Sequence, residues 1–503
     1  MRTWWLGLAL LSCTPPTPSR LTPTLPPLAR APTTVEQTFA PLVPRQGSSG
    51  NPAQRAVLSR ALADGWGELT AGPGEPHRVR SFDGATPPAP GPNARRLTRL
   101  VHLADLQLLD DESPMRITDL DARGFAAGAA RPQEPQACRL ANAAVRTING
   151  LHRVEPIDFV MLGGDNIDSA QANELDWLLG TLGGDAQVEC DSGDDDDPLP
   201  GEPDGKDGFV SEGLAVPYRW VTGNHDVLVQ GLFAVTAERQ QAAVGADAAG
   251  GTRDGRGALV AGGATVRADA RRALLTPREV LERVAADADG HGLDAAQVAR
   301  GKAFSSFDVA GTPLTFLVVD TTAETGGDDA LVRRADFDAF IAPVLDRAAA
   351  ERRLVVMVAH HATDRLTTNG GALGLAQADA LAPAEVVRRL GASGRLAFSL
   401  VGHAHTHRVV PIVTGPQGFW EITTAAVIDF PNQLRVVEVF DQDNGWWMTR
   451  VTVVDLALEG DAVAAQGKRA SVADLTSGWL AGDRLVGGEA NDRNLELWIR
   501  KVD

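Results

Sequence analysis

Six short apolar runs punctuate the chain, ending at Leu103, Leu162, Val221, Val319, Ala359 and Val401, with stretches of helical spacing between them. Each is four to eight residues, mostly Val, Leu, Ile, Phe or Ala apart from Tyr218-Arg219-Trp220 before Val221, enough for a strand and far below the ~18 residues of a membrane span. This alternation is the pattern of an α/β sheet protein. Helices are expected at 138–151, 170–182, 336–352 and 383–390. Near the end, 419–423, 434–440 and 446–454 read as an antiparallel closing set, with Asp443-Asn444-Gly445 as a hairpin turn. At 503 residues the chain has room for about three units of ordinary size or for one large α/β domain.

Five of the runs stop at residues able to ligate metals. These are Asp105-Leu106-Gln107, Gly164-Asp165-Asn166-Ile167-Asp168, Gly223-Asn224-His225-Asp226, His360-His361 and Gly402-His403-Ala404-His405. Loops that follow parallel strands converge on one edge of a sheet, so turns scattered in sequence are brought together by such a fold. Each block alone says little, because Gly-Asp is common in turns and a single His after a strand is usually structural. Their joint order carries the signal. Carboxylate, imidazole and carboxamide donors suit two divalent or trivalent ions such as Mn, Fe or Zn. A thiolate cage is excluded, because the only cysteines are Cys13, Cys138 and Cys190.

In this order the blocks resemble the calcineurin-like metallophosphoesterases, whose signature is Asp-x-His, Gly-Asp-x-x-Asp, Gly-Asn-His-Asp/Glu, a strand-end His and Gly-His-x-His. Four of the five match fully, over residues 97 to about 455. Glu112-Ser113-Pro114-Met115-Arg116, Asp289-Gly290-His291-Gly292, Gly418-Phe419-Trp420-Glu421-Ile422 and Asn491-Asp492-Arg493-Asn494 are similar to one exported bacterial subfamily. The resemblance implies a four-layer αββα sandwich and a dimetal hydrolase of phosphate mono- or diesters. It implies Asp165 as the bridge between the ions, Asp105, Gln107 and His405 on one ion, and Asn224, His360 and His403 on the other. A bridging hydroxide would attack phosphorus in line. His225, oriented by Asp168, would aid the leaving group.

Two departures from the pattern stand out. Gln107 replaces the usual His, and a carboxamide oxygen is a weaker, neutral ligand. Ser169 follows Asp168 where the protein Ser/Thr phosphatases carry an Arg, which disfavours a phosphoprotein substrate. Arg116 and Arg408, each close behind a metal block, are candidates to grip phosphate or are surface residues. His361 either lines the pocket or only packs.

The front of the chain reads as an address. Met1-Arg2-Thr3, an apolar run from Trp4 to Leu11, then Ser12-Cys13 suggest an exported chain with a signal peptide over 1–12. Leu10-Leu11-Ser12-Cys13 resembles a bacterial lipobox, so Cys13 is expected to carry a lipid anchor, an ordinary cleaved signal being the alternative. Nine prolines in 14–45 predict a semi-rigid tether over 13–45. An N-terminal extension (46–94), the catalytic domain (95–455) with an acidic insertion at 189–210, and a C-terminal extension (456–503) would follow. Asp194-Asp195-Asp196-Asp197 reads as part of a solvated loop, and Asp287-Ala288-Asp289-Gly290-His291-Gly292 as a turn, since Val298 stands where a calcium loop needs Glu. In an oxidising compartment Cys138 and Cys190 either pair or remain buried thiols.

With 47 Lys+Arg against 65 Asp+Glu, the net charge of −18 excludes a general surface for long nucleic acid or an anionic bilayer. A small phosphoester is the expected partner, and membrane contact is expected only through a lipid on Cys13. Two other functions fit the sequence: an exported nucleotidase or nuclease, and a non-catalytic surface lipoprotein that binds metal and ligand. The oligomeric state is not legible.

Overall fold

The computed structural model describes residues 21–47, 50–122, 128–193, 199–286, 289–414, 418–479 and 487–502. The expected signal sequence, the lipobox with Cys13, and the Asp194–Asp197 run lie outside the described residues.

Runs of apolar residues with no polar face become strands buried on both sides. The first sheet uses β1 (Arg78–Ser81), β2 (Arg95–Leu103), β3 (Phe159–Leu162) and β4 (Tyr218–Arg219). The second contains β5 (Ser305–Asp308), β6 (Leu314–Val319), β7 (Leu354–Ala359), β8 (Leu396–Val401), β9 (Arg408–Val413) and β10 (Gly418–Thr423). The chain then returns to the first sheet through β11 (Gln433–Asp441), β12 (Trp446–Asp455) and β13 (Leu495–Arg500). The orders are β1-β13-β12-β11-β2-β3-β4 and β5-β6-β7-β8-β10-β9. Strands β2, β3 and β4 run parallel to one another, as do β6, β7, β8 and β10. Two sets of parallel C-terminal ends therefore face one region.

Alternation along each strand sorts its side chains into layers. Leu100, Phe159, Met161 and Val437 of the first sheet meet Phe316, Val356, Phe398 and Ile422 of the second in the central core. The opposite faces turn outward. Val101, Leu103, Val160 and Leu162 pack under α1 (Ala137–Val154) and α2 (Ala172–Gly183), while Ala464 of α5 (Ala462–Ser477) joins the same layer. Leu317, Val355 and Met357 pack under α3 (Ala342–Ala350) and α4 (Pro383–Gly391), through Leu345, Val386 and Leu390. The result is the four-layer αββα sandwich that the resemblance implied.

Several boundaries differ from expectation. The helix expected over 336–352 opens with a wide π-helical turn, Phe337–Ile341, before α3. Pro343 has no N–H to give to the preceding turn, and the wider turn accommodates that loss. The segment 419–423 does not join the two later strands, because β10 pairs with β8 and β9 in the other sheet. The extensions flanking 95–455 are integral to the sheet, since β13 inserts between β12 and β1.

From residue 21 onward, the Pro-rich segment expected as a tether is docked instead. Thr24 donates its N–H to Val210, Thr34 to Val453, and Gln37–Pro41 pairs antiparallel with Leu69–Pro73. Its extended conformation suits strand-like pairing, and Ala31 enters the core under α1. No helix among the described residues is long and apolar enough to cross a membrane.

Of the two states left open for Cys138 and Cys190, the structure has the disulfide, with Cα atoms 6.5 Å apart. It ties the start of α1 to the base of the acidic insertion across 52 residues. Constraining a loop of that size in the unfolded chain stabilises by about 2–4 kcal/mol. A Cys138→Ser/Cys190→Ser variant is expected to lose that amount in denaturant unfolding; an unchanged midpoint would contradict it.

Candidate metal centre

All five blocks lie just beyond strand ends at one edge of the sandwich, and backbone hydrogen bonds lace them together. Asp105 N–H donates to Gly164 O (3.1 Å), Gln107 N–H to Asp165 O (2.9 Å), and Gly402 N–H to His360 O (2.8 Å). Two glycines permit the closest approaches. A Cβ at Gly223 would stand 2.2 Å from Asp165 Oδ1, and one at Gly402 2.7 Å from Asp105 Oδ2. The backbone is also strained here. Asp105, Gln107, Asp165, His403 and His405 all have φ between 39° and 66°. Left-handed backbone costs roughly 1 kcal/mol or more at each non-glycine residue, and such outliers gather at functional sites.

The structure brings every expected site residue to this edge. Asp165 is buried; its Oδ1 accepts the His225 N–H at 2.8 Å, and its Oδ2 lies 3.0 Å from His360 Nε2 and 3.5 Å from Gln107 Nε2. Asp105 accepts the His403 N–H and lies 3.3 Å from His405 Nε2. Asn224 donates its Nδ2 to Gly231 O at 3.0 Å. His225 places Nδ1 2.8 Å from Asp168 O and 3.2 Å from the Asp168 carboxylate, with Nε2 4.0 Å from Asp165 Oδ2.

The donor set fits metal ions on an observation independent of motif order. Gln107 Oε1, Asn224 Oδ1, His360 Nε2 and His361 Nε2 are buried without a hydrogen-bond partner among the described residues. His360 Nε2 is near Asp165 but lacks hydrogen-bond geometry to it. Leaving such an atom unpaired costs about 1–3 kcal/mol, and four in one place are explained if cations satisfy them. Donor atoms of Asp105, Asp165 and His360 lie within 4.8 Å of one another, as do those of His360, His361 and His403.

The same groups act strongly on one another's charge. Burial opposes charge on His360 and His405, yet Asp165 pushes His360 up to about 9, and Asp105 with Asp429 pushes His405 up to about 9. Burial would raise Asp165, but His360, His225 and His403 hold it well below the ordinary carboxylate range. His225 is disfavoured as a cation by burial, and the Asp165 and Asp168 carboxylates outweigh that and raise it. Burial with His361 and His360 nearby holds His403 well below the ordinary imidazole value.

A cavity of about 490 Å³ opens onto these groups, with Gln107, Asp165, Asn224, His225, His403 and His405 in its wall. Neither arginine expected for phosphate stands there. Arg116 is buried, bonded to Glu134 and 3.4 Å from the Asp168 carboxylate, so it steadies the partner of His225 instead. Arg408 is exposed and paired with Asp364. Arg131 and Arg365 line the cavity in their place.

Sequence reasoning missed both of these, and Asp429 as well. Asp429 lies 2.6 Å from His405 Nδ1 and 3.0 Å from Arg131 Nε, which leaves His405 Nε2 free to face Asp105. Asp226 stands inside a recognised block, and its role is to clamp: it accepts the N–H groups of Asn166 (2.9 Å), Ile167 (3.1 Å) and Gly223 (2.7 Å). The turn Asp289-Gly290-His291-Gly292 is structural, with His291 stacked on Tyr218 at 3.6 Å.

No family model and no curated protein sequence matches the chain. Among solved structures, it is similar to a purple acid phosphatase from yellow lupin (Lupinus luteus) seeds at 11% identity and TM-score 0.30, over 76% of this chain and 54% of that one. It is similar to a Thermus thermophilus sulfate thiohydrolase in complex with glycerol at 13% and 0.31, over 78% and 61%. A Staphylococcus aureus protein assigned as a 5′-nucleotidase, in complex with alpha-ketoglutarate, gives 11% and 0.30, over 75% and 58%. The chain thus spans between 54% and 61% of the length of these three. Similarity this low assigns neither residues nor activity, which rest on the side chains themselves. Fold and side chains together define a two-sheet α/β protein with a candidate dinuclear metal centre at one edge.

Glu421 on β10 supports the centre from behind, accepting the Thr363 N–H at 2.8 Å just past His360-His361. Burial pushes its carboxyl from 4.5 up to about 7, against the Thr363 hydrogen bonds. The fold therefore binds this proton more tightly than the unfolded chain does. Its contribution to stability is full below pH 4.5 and is lost as pH rises through about 7. The loss is about 3 kcal/mol. Glu421→Gln is expected to flatten the stability profile over that window in denaturant titrations at several pH values; a profile parallel to wild type would contradict it.

Proposed function

We propose that the chain is a metal-dependent phosphoester hydrolase of the calcineurin-like metallophosphoesterase kind, acting on small phosphate mono- or diesters with two ions of the Mn, Fe or Zn class. The observation that supports this most is the meeting of seven donors from five strand ends, three with a buried unpaired atom, at one edge of the sandwich, where five of the seven line a single cavity. Asp105, Gln107 and His405 would hold one ion, Asn224, His360 and His403 the other, with Asp165 shared. Bound there, two such ions supply Lewis acidity toward a phosphoryl oxygen and a nucleophile at neutral pH.

The remaining work falls to the chain itself. Asp168 engages His225 at Nδ1, which fixes the ring and leaves the Nε2 proton for the leaving-group oxygen. Arg116 and Glu134 keep the Asp168 carboxylate in place. Arg131 and Arg365, paired with Asp429 and Asp329, are the two arginines of the cavity wall within reach of an anionic substrate. Its volume of about 490 Å³ suits a small ester, and the net charge of −18 repels a long polyanion.

The test is turnover of an aryl phosphomonoester and diester by metal-reconstituted protein. His225→Ala is expected to lower kcat by about 10²–10⁴ while both ions remain bound. Asn224→Ala is expected to lose one ion together with activity. Wild type no more active than these variants under Mn, Fe and Zn would remove the proposal.

Export, with a lipid on Cys13 as the membrane attachment, belongs to the same proposal. The Cys138–Cys190 disulfide supports it, since such bonds persist in oxidising compartments. A Cys13→Ser protein is expected to leave the membrane fraction; if it sediments as wild type does, the anchor is wrong.

A further inference from the structure

The second imidazole of the His360-His361 pair has no place in the ligand set above. Its surroundings are specific. The His361 ring is 3% exposed, and its Nδ1 lies 2.8 Å from Thr321 Oγ1. Its Nε2 is buried with no hydrogen-bond partner among the described residues. The ring centroid stands 4.7 Å from that of His360 and 4.6 Å from that of His403.

Two bland roles are open to such a histidine. A packed core histidine normally has both nitrogens satisfied, because a buried polar atom without a partner is costly. A substrate-contacting histidine belongs in the cavity wall, where His403 stands and, among the described residues, His361 does not. Thr321 holds Nδ1, the Asp328 backbone also lies close to the ring, and one ring nitrogen of His361 shares a cluster with donor atoms of His360 and His403. The three donor atoms already lie within 4.8 Å of one another. Imidazoles sharing one ion bind at about 2.0–2.1 Å, which places donors roughly 3–4 Å apart, so a small side-chain movement closes the set.

We infer that His361 is a further ligand of the ion held by Asn224, His360 and His403, which then meets three imidazoles. The inference rests on the metal centre proposed above and deepens it. The two ions consequently meet unlike surroundings. One site has Asp105, Gln107, His405 and the shared Asp165, mostly oxygen. The other has three imidazoles with the Asn224 oxygen and Asp165. Imidazole-rich sites favour Zn²⁺ over Mn²⁺, and oxygen-rich sites accept Mn²⁺ readily, so the centre sorts the two metals by position.

The probe is Co²⁺ on the full chain. In the wild-type protein, exchangeable imidazole N–H protons shifted by the paramagnetic ion are expected from four histidines: His360, His361, His403 and His405. A count of three, with His361 absent, overturns the inference without requiring any variant to fold. His361→Asn supplies a second measurement, with Zn²⁺ competed against a chelator. Zn²⁺ affinity at one site is expected to fall by at least about 10-fold while the other site is unchanged. Unchanged affinity at both sites overturns it. Uptake of two ions on four imidazoles without hydrolysis of any phosphoester supports this inference and removes only the activity. No uptake of Co²⁺ or Zn²⁺ removes both.

Discussion

The Asp165 carboxylate is buried between two sheets, and the loops around it are arranged to answer its charge. His225 donates a backbone N–H to it, His360 and His225 turn their rings toward it, and Gly223 exists as glycine because any Cβ would collide with it. A buried carboxylate is expensive unless positive charge or hydrogen-bond donors surround it. Once Asp165 is placed at the end of β3, the neighbouring loops are constrained to bring compensation. That requirement, more than any single contact, explains why five separated turns converge.

The same edge bears a conformational cost. Five of the seven proposed ligands have left-handed backbone, and four buried donor atoms lack partners among the described residues. The surrounding fold holds these unfavourable choices in place. Strands β7 and β8 are buried at all six positions, and Asp226 locks the loop after β3 to the loop after β4. Rigid sheets supply stability, and the turns beyond them spend it on geometry that suits a cation.

Much of the sandwich was legible in the sequence because its central strands are apolar on both faces. The runs ending at Leu103, Leu162, Val319, Ala359 and Val401 end at the same residues in the structure. Where the run was a weaker signal, the strand is shorter: β4 stops at Arg219, because the Trp220 N–H turns to His291 O. Strands β1 and β13 could not be read that way, since Arg78-Val79-Arg80-Ser81 has no apolar run and pairs across more than four hundred residues. At the site, residues inside ordered blocks were identifiable, whereas Asp429, Arg131 and Arg365 belong to no local pattern. Arg116 shows the limit of proximity in sequence: it follows a metal block, yet Glu134 and Asp168 draw it into the interior.

The placement of β13 also bears on how such a chain is made. Because Leu495–Arg500 sits between strands that begin at Arg78 and end at Asp455, the first sheet cannot assume its final order until residue 500 is available. Sheets built from distant partners form slowly, and their unfinished edges stick to other chains. During synthesis β1 waits for its only sheet partner while about four hundred residues emerge, and the edge of β12 stays open until β13 follows it. The late arrival of that strand makes its emergence, and not the assembly of any early segment, the event that commits the first sheet to its final order.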